Sequence, residues 1–297
     1  MNGAPLRWPC RLAGPVALML VGCGRTFLVG SYDPGSGGSP TPDAGGSPTP
    51  DSGDSPTTPV WRLVWHDEFD GPAGSAPNPA LWTYDVGGTG WGNQELQFYT
   101  ARQQNAYLDG DGTLFIHAAS ESYMGLAYTS ARLKTQGLFE QAYGRFEMVA
   151  RVPAGQGLWS SFWMLGNDRD VVGWPDSGDI NVMSVFGSDT TINRGGAHGP
   201  GYNEDVRAFS SLPGSPNLSD AFHLYAVEWE PDVLRYYIDD VLFATKGPAD
   251  LPAGATWVQD HPYFLLLNVA VGGHAGTPSA SAFPADFKVQ YVRVYAR

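Results

Sequence analysis

The chain has 297 residues, a formal net charge of −13 and only two cysteines. This acidic balance excludes the classes of nucleic-acid-binding protein that depend on a basic surface, but it is compatible with a neutral polysaccharide partner. Two cysteines are too few for a disulfide-stabilised framework, so the fold must rely on an apolar core.

The N-terminal residues have the pattern of an export signal. Arg7 and Arg11 form a positive segment, and the apolar stretch Ala13 to Val21 follows them. That stretch is far shorter than the roughly 20 apolar residues that a membrane-spanning helix needs. We therefore predict a signal peptide over residues 1–22 and an exported protein.

The apolar stretch ends in Leu20-Val21-Gly22-Cys23, which resembles a bacterial lipobox. This resemblance implies cleavage before Cys23, lipidation of its thiol and attachment to the bacterial envelope, with an ordinary secretory signal as the alternative. Gly24 follows Cys23. An aspartate at this position would indicate retention in the inner membrane, so the glycine favours display at the outer membrane or cell surface. Cys10 leaves with the signal peptide.

The next segment, residues 23–59, begins at the lipidated cysteine and reads as a linker. Within it, Ser31 to Pro59 repeats Gly-Gly-Ser-Pro-Thr-Pro-Asp and has almost no apolar side chain. Such a composition cannot offset the entropy of ordering and keeps the chain extended and solvated. We therefore expect a tether that precedes one large domain, residues 60–297.

The domain pattern is all-β. Short runs rich in Val, Tyr, Phe and Trp alternate with Gly, Pro, Asn and Asp, and no sustained helical period occurs. Many antiparallel strands in one domain indicate a sandwich or a barrel. The predicted strands are Thr113–Ala118, Gly144–Val152, Phe222–Trp229, Leu234–Ile238, Val241–Ala244, Tyr263–Val271 and Lys288–Tyr295.

Several of the ten tryptophans lie beside Gly, Pro or Asn, where a core residue is less expected. They are Trp91, Trp159 and Trp174. Flat aromatic faces can stack on the C–H faces of sugar rings, and each ring buries a large area at low entropic cost. Together with neighbouring amides and Arg132, these rings predict a sugar-binding cleft, although packing is an alternative for each ring alone.

Nine phrases in order along Trp61 to Arg297 resemble glycoside hydrolase family sixteen, in particular its laminarinase-like endo-β-1,3-glucanases. The phrases are WHDEFDG (65–71), WGNQELQFYT (91–100), YTSARLKT (128–135), YGRFE (143–147), PAGQGLWSSFWMLG (153–166), HGPGY (198–202), FHLYAVEW (222–229), LNVAVGG (267–273) and VQYVRVY (289–295). The resemblance implies a concanavalin-like jelly-roll β-sandwich with a concave sugar-binding cleft.

The family's catalytic strand reads E-x-D-x-x-E, with a nucleophile, a helper and an acid/base. This chain departs at all three positions, with Asp179, Asn181 and Ser184. Alternation along a strand puts positions 179 and 181 on one face, and position 184 joins them only if a bulge near Met183 resets the register. We therefore expect a bulged strand that carries little or no hydrolytic power.

By the same resemblance, His198 lies near the reaction centre and a further set of residues lines the cleft. These substrate-binding candidates are Asn93, Glu95, Arg132, Trp159, Trp163, Trp174 and Asn268. No residue is predicted to ligate a catalytic metal, and no cofactor is required. A structural calcium on the convex face is compatible with the fold, but Gln290 stands where the family usually has aspartate.

Three hypotheses follow for a protein that we expect to be monomeric. The first is a surface-tethered β-glucan-binding protein that is inactive or severely impaired as an enzyme. The second is an active endo-β-1,3-glucanase that uses Asp179 with a non-standard acid, for which Glu95, Asp176 and His198 are the candidates. The third is a structural surface scaffold with an empty cleft.

Overall fold

The computed structural model describes residues 60–203 and 207–297. The predicted signal peptide, Cys23 and the linker lie outside the described residues. Within them, no helix has the length and apolar character needed to cross a membrane.

The described residues form seventeen strands and one short α-helix. In chain order the strands are Arg62–Asp67 (β1), Thr83–Tyr84 (β2), Gln97–Tyr99 (β3), Ala106–Leu108 (β4), Leu114–Tyr123 (β5), Leu126–Ser130 (β6), Arg132–Lys134 (β7), Gly144–Arg151 (β8), Leu158–Gly166 (β9), Asp179–Phe186 (β10), Asn193–His198 (β11), Ala208–Ser210 (β12), His223–Glu230 (β13), Val233–Ile238 (β14), Val241–Lys246 (β15), Tyr263–Val271 (β16) and Ala285–Ala296 (β17). The helix α1 spans Arg169–Val172, and 3-10 turns occur at Pro248–Asp250, Gly273–Ala275 and Ala280–Ala282.

Two open sheets pack face to face and confirm the all-β sandwich. The ten-stranded sheet follows the order β15-β14-β13-β8-β17-β5-β6-β3, with β1 beside β17 and β4 beside β5. The seven-stranded sheet follows β12-β11-β10-β9-β16-β7-β2. Neighbouring strands are antiparallel except for β3 and β6, which pair in parallel. The barrel alternative is therefore wrong, because neither sheet closes on itself.

Burial along the strands explains why these sequences form this sandwich. In β14 buried and partly exposed residues alternate strictly, as expected for a strand with one face on the core. All nine residues of β16 are buried. One face of β16 packs on the core and the other is covered, since Leu96 donates its backbone N–H to the Val271 carbonyl at 2.8 Å.

The core between the sheets is rich in aromatic rings. Trp229 of β13 is fully buried and contacts Tyr143, Phe146 and Tyr263 at centroid distances of 5.2, 6.0 and 5.1 Å. Its indole N–H donates to the carbonyl of Gln259 at 3.0 Å, so the polar atom of this buried ring is satisfied. Trp229 therefore joins strands of both sheets to the loop that precedes β16.

We predict that Trp229→Ala lowers the free energy of unfolding by about 3–5 kcal/mol, because it leaves a large cavity in a close-packed core. Urea denaturation followed by circular dichroism measures this change. Leu242→Ala is the control, since this side chain is 49% exposed and its truncation should change stability by less than about 0.5 kcal/mol. Equal effects of the two substitutions would contradict this account of the core.

Candidate functional site

The predicted bulge in β10 is present. Asn181 pairs with Trp163 of β9, whereas Met183 pairs with Phe162, so one residue of β10 has no counterpart on β9. Val182 and Met183 are both fully buried. Because the bulge resets the alternation, Ser184 returns to the face that carries Asp179 and Asn181. We call this outer face of the seven-stranded sheet the cleft face.

Asn193 of β11 holds the bulge in place. Its Oδ1 accepts the backbone N–H of Ser184 at 3.1 Å, and its Nδ2 donates to the carbonyl of Val182 at 3.5 Å. The side chain is fully buried, so it replaces the ladder hydrogen bonds that the extra residue disrupts. Sequence reasoning missed Asn193, because a buried Asn within a short strand does not reveal which backbone groups it contacts.

Asp179 is held by three side chains. Its Oδ2 accepts from Nε1 of Trp174 at 2.9 Å, and its Oδ1 accepts from Nδ2 of Asn181 at 3.0 Å. The same Oδ1 lies 2.7 Å from Nδ1 of His198. Three of the predicted residues therefore meet around the carboxylate of a fourth.

Ser184 lies at the position of the third predicted catalytic residue. Its Oγ accepts from Nε1 of Trp159 at 2.7 Å, and the residue is 7% exposed. Trp159 also contacts Phe186 and His274 edge-on, at centroid distances of 5.6 and 5.7 Å. The indole N–H thus faces a hydroxyl oxygen, and β10 offers no carboxylate at this point of the cleft face.

A second network runs across β9, β16 and β3. Nε1 of Trp163 donates to Oδ1 of Asn268 at 2.8 Å, and Nδ2 of Asn268 donates to the Tyr99 hydroxyl at 3.1 Å. That hydroxyl donates to Oε2 of Glu95 at 3.1 Å. Burial holds the pKa of Tyr99 well above its usual value, so the phenol remains protonated and keeps donating.

Glu95 is a fully engaged acceptor. Besides Tyr99, its carboxylate accepts from Nδ2 of Asn93 at 3.0 Å and from Nε2 of Gln97 at 2.7 Å. Gln97 in turn accepts the backbone N–H of Val271 at 2.7 Å. Glu95 is 8% exposed, and its carboxylate accepts from three donors. It therefore holds the loop that carries Asn93 against the end of β16.

Arg132 of β7 is clamped between two indole rings. Its guanidinium lies 4.9 Å from the ring centroid of Trp91 and 4.7 Å from that of Trp163. Nε forms an ion pair with Asp85 at 3.0 Å, and Lys134 reaches the same carboxylate at 2.7 Å. The residue is 8% exposed. In this arrangement Arg132 positions two tryptophan faces, and its contact with sugar stays a prediction.

The structure therefore brings the predicted catalytic and binding residues to the cleft face or to the loops beside it. Asp176 lies in the turn before β10 and is exposed. Gln97, Tyr99 and Asn193 are supporting residues absent from the predictions, whereas Trp91 was predicted through its place within Gly-Trp-Gly. The roles of the three depend on which polar groups meet in the fold, and this leaves no signal in the sequence.

The described residues contain no group of three or more His, Cys, Asp or Glu side chains that could hold a metal ion. On β17, Gln290 is exposed at the place of the expected calcium ligand. Calcium binds sets of oxygen ligands in which carboxylates dominate. The described side chains therefore supply no acidic set that fits the calcium suggested by the resemblance.

Comparisons with known proteins agree with this geometry. Residues 91–293 match the model of the family described as glycosyl hydrolases family 16. A β-glucanase of Rhodothermus marinus is 45% identical over 251 residues, which cover 80% of this chain and 86% of that protein. The laminarinase catalytic domain of Thermotoga maritima is 40% identical and superimposes with a TM-score of 0.74, covering 80% of this chain and 98% of that domain.

A third similar structure is that of SCLam, a non-specific endo-β-1,3(4)-glucanase of the same family, in a variant whose glutamate is replaced by serine. It is 34% identical, superimposes with a TM-score of 0.72 and covers 80% of this chain and 95% of that one. The variant was co-crystallised with a glucan oligosaccharide and presents a 1,3-β-D-cellobiosyl-glucose at its active site.

We predict that Asn193→Ala destabilises the bulge, because it leaves the buried backbone N–H of Ser184 without an acceptor. The expected loss in free energy of unfolding is about 1–3 kcal/mol, measured by urea denaturation. Asn217→Ala is the matched control, since Asn217 is exposed and its loss should be nearly neutral. An equally small effect of both substitutions would show that Asn193 does not support the bulge.

Proposed function

The chain belongs to glycosyl hydrolases family 16, and from this premise we propose that it is a β-1,3-glucan-binding protein whose hydrolytic activity is lost or severely reduced. The observation that carries the proposal is the content of the cleft face along β10. Of the three positions that the bulge aligns, 179, 181 and 184, only the first holds a carboxylate.

Hydrolysis with retention needs two carboxyl groups about 5–5.5 Å apart, one as nucleophile and one as acid and then base. Asp179 keeps the first kind of group, one methylene shorter than glutamate. Ser184 does not keep the second, because a hydroxyl neither protonates a leaving oxygen near neutral pH nor deprotonates water. Loss of general acid–base help alone slows a reaction by about 10²–10⁴-fold.

The binding apparatus supports retention of the ligand. The faces of Trp163 and Trp91 are positioned by Arg132, and Asn268 is fixed by two hydrogen bonds. Rigid aromatic faces with satisfied polar neighbours are suited to sugar stacking. The SCLam variant with serine in place of glutamate, which presents an oligosaccharide at its active site, supports binding without a full set of catalytic carboxylates.

The second candidate function is an active endo-β-1,3-glucanase, which the similarity to the Rhodothermus marinus β-glucanase favours. The specific observation for it is the state of Asp179, whose carboxylate is oriented by Trp174, Asn181 and His198 as a nucleophile would be. This candidate still needs a general acid. Glu95 is engaged by three donors and Asp176 is exposed in a turn, so His198 is the remaining candidate of the three.

The third candidate, a structural scaffold with an empty cleft, predicts no stabilisation by a glucan.

For the whole protein we propose attachment to the bacterial envelope through a lipid on Cys23, with residues 23–59 as the tether. The lipobox-like sequence supports this location.

We expect the parent domain, residues 60–297, to release reducing ends from laminarin at least about 10³-fold more slowly than the triple variant Asp179→Glu, Asn181→Asp, Ser184→Glu. The three substitutions restore both carboxyls and the helper, and their effects act as a unit. Asp176→Glu is the control, because it adds a methylene to an exposed carboxylate outside the aligned positions and should remain as slow as the parent.

Thermal denaturation with laminarin oligosaccharide separates the scaffold from the two glucan-binding candidates, and the activity assay separates those two. A ligand that binds the folded state raises the melting temperature, by an amount that grows with RT ln(1 + [L]/Kd), so the binding proposal predicts a rise in the parent and its loss in Trp163→Ala. Trp61→Ala, beside Arg297, should keep the rise. A parent as active as the triple variant would refute the binding proposal in favour of hydrolysis, and absence of any rise would favour the scaffold.

A further inference from the structure

The cleft face continues past Ser184 into a basic and aromatic end. Phe186 closes β10, Arg194 lies on the neighbouring β11, and Phe209 follows on β12, where it pairs with Arg194. A Cβ at Gly195 would meet the ring of Tyr236 in the core at 2.8 Å. Because side chains alternate along a strand, Arg194 points to the opposite side, which is the cleft face.

Arg194 is stacked onto this aromatic end. Its guanidinium lies 4.3 Å from the ring centroid of Phe186 and 5.7 Å from that of Phe209. Phe186 touches Trp159, whose indole donates to Ser184. The rings of Phe186 and Trp159 thus connect Arg194 with Ser184, which stands at the acid/base position. Phe209 is 58% exposed and accessible to a ligand.

The charge of Arg194 is not balanced by an ion pair within residues 60–203 and 207–297. Its Nη1 donates a long hydrogen bond to the carbonyl of Ile192, at 3.4 Å. The carboxylate of Asp189 attracts Arg194 electrostatically but forms its hydrogen bonds with the backbone N–H and the hydroxyl of Thr191, at 3.1 and 2.6 Å.

A second arginine, Arg207, lies beside the cleft face. A Cβ at Gly196, which pairs with Asn181, would be 3.4 Å from Cα and 3.7 Å from Cγ of Arg207. The aligned positions 181 and 184 carry no charge, whereas Arg194 places a positive charge at the end of the same face. In a chain with a net charge of −13, this guanidinium beside a sugar cleft indicates charge selection.

We propose that the Arg194 end of the cleft face binds an oxyanion substituent, a carboxylate or a sulfate, on a β-glucan chain. The planar guanidinium presents a fork of N–H donors, and two of these can bind one carboxylate or sulfate group at the same time. In this proposal Phe186 and Phe209 hold the guanidinium in place and stack on the sugar that carries the anionic substituent. This inference rests on the proposed glucan-binding function and names the substrate class that it prefers.

The experiment compares three linear β-1,3-glucan oligosaccharides of equal length, which are neutral, carboxymethylated and sulfated, by isothermal titration calorimetry with domain 60–297. We expect at least one anionic glucan to bind about tenfold or more tightly than the neutral one at low salt, as a charge-assisted contact would provide. The advantage should shrink in 0.5 M NaCl, because salt screens a partly exposed charge.

Arg194→Gln should abolish the preference for the anionic glucan, so that the ratio of anionic to neutral affinity falls from about tenfold to about one. Arg151→Gln is the matched control, because Arg151 also lies over a phenylalanine ring, that of Phe222, but on the other sheet. It should keep the preference. Arg194→Lys, which retains charge without the fork, should keep part of it.

Equal affinities of the parent for all three glucans would overturn this inference and leave the glucan-binding function intact. Persistence of the preference in Arg194→Gln would also overturn it, because another group would then read the anion. Absence of binding to every glucan would refute the proposed function and this inference together. Unchanged melting temperatures of the variants exclude unfolding as the cause of a loss.

Discussion

The site depends on one irregularity in one strand, the bulge between Asn181 and Met183. If this strand were regular over the same residues, alternation would turn Ser184 toward the core and Met183 toward the cleft face. The buried amide of Asn193 stabilises the irregular backbone by satisfying groups on both sides of it. The separation and direction of the catalytic positions are therefore a property of β10 and β11 together.

Two tryptophan side chains beside this strand form hydrogen bonds with the residues present at positions 179 and 184. Trp174 and Trp159 each donate an indole N–H to a cleft-face oxygen, one on Asp179 and the other on Ser184. A donor of this kind is satisfied by a carboxylate or by a hydroxyl. Under the proposed function, Ser184 lacks the proton-transfer chemistry of a carboxyl group, while the hydrogen bond that orients Trp159 is kept.

Arg132 and Arg194 illustrate two different uses of the same side chain. Arg132 is buried, paired with Asp85 and sandwiched between Trp91 and Trp163, so its charge is neutralised inside the domain and serves to fix ring positions. Arg194 is stacked on Phe186 and has no ion pair within the described residues. We propose that this difference in pairing, more than residue type, makes Arg194 the arginine that meets a ligand.

The sequence by itself determined the all-β class and six of the strands between Gly144 and Tyr295, because period-two alternation is a local signal; β9, β11 and β12 were not among them. The resemblance, carried by phrases along the whole domain, predicted the bulge near Met183 and placed Trp163 and Asn268 in one cleft. Only the tertiary structure decided that Arg132 braces two tryptophans, that Glu95 is saturated with donors and that Asn193 holds the bulge. Arg132 depends on rings that are distant in the sequence. The donors to Glu95 are close in the sequence and Asn193 contacts the neighbouring β10, but no periodic pattern shows which of these polar groups meet.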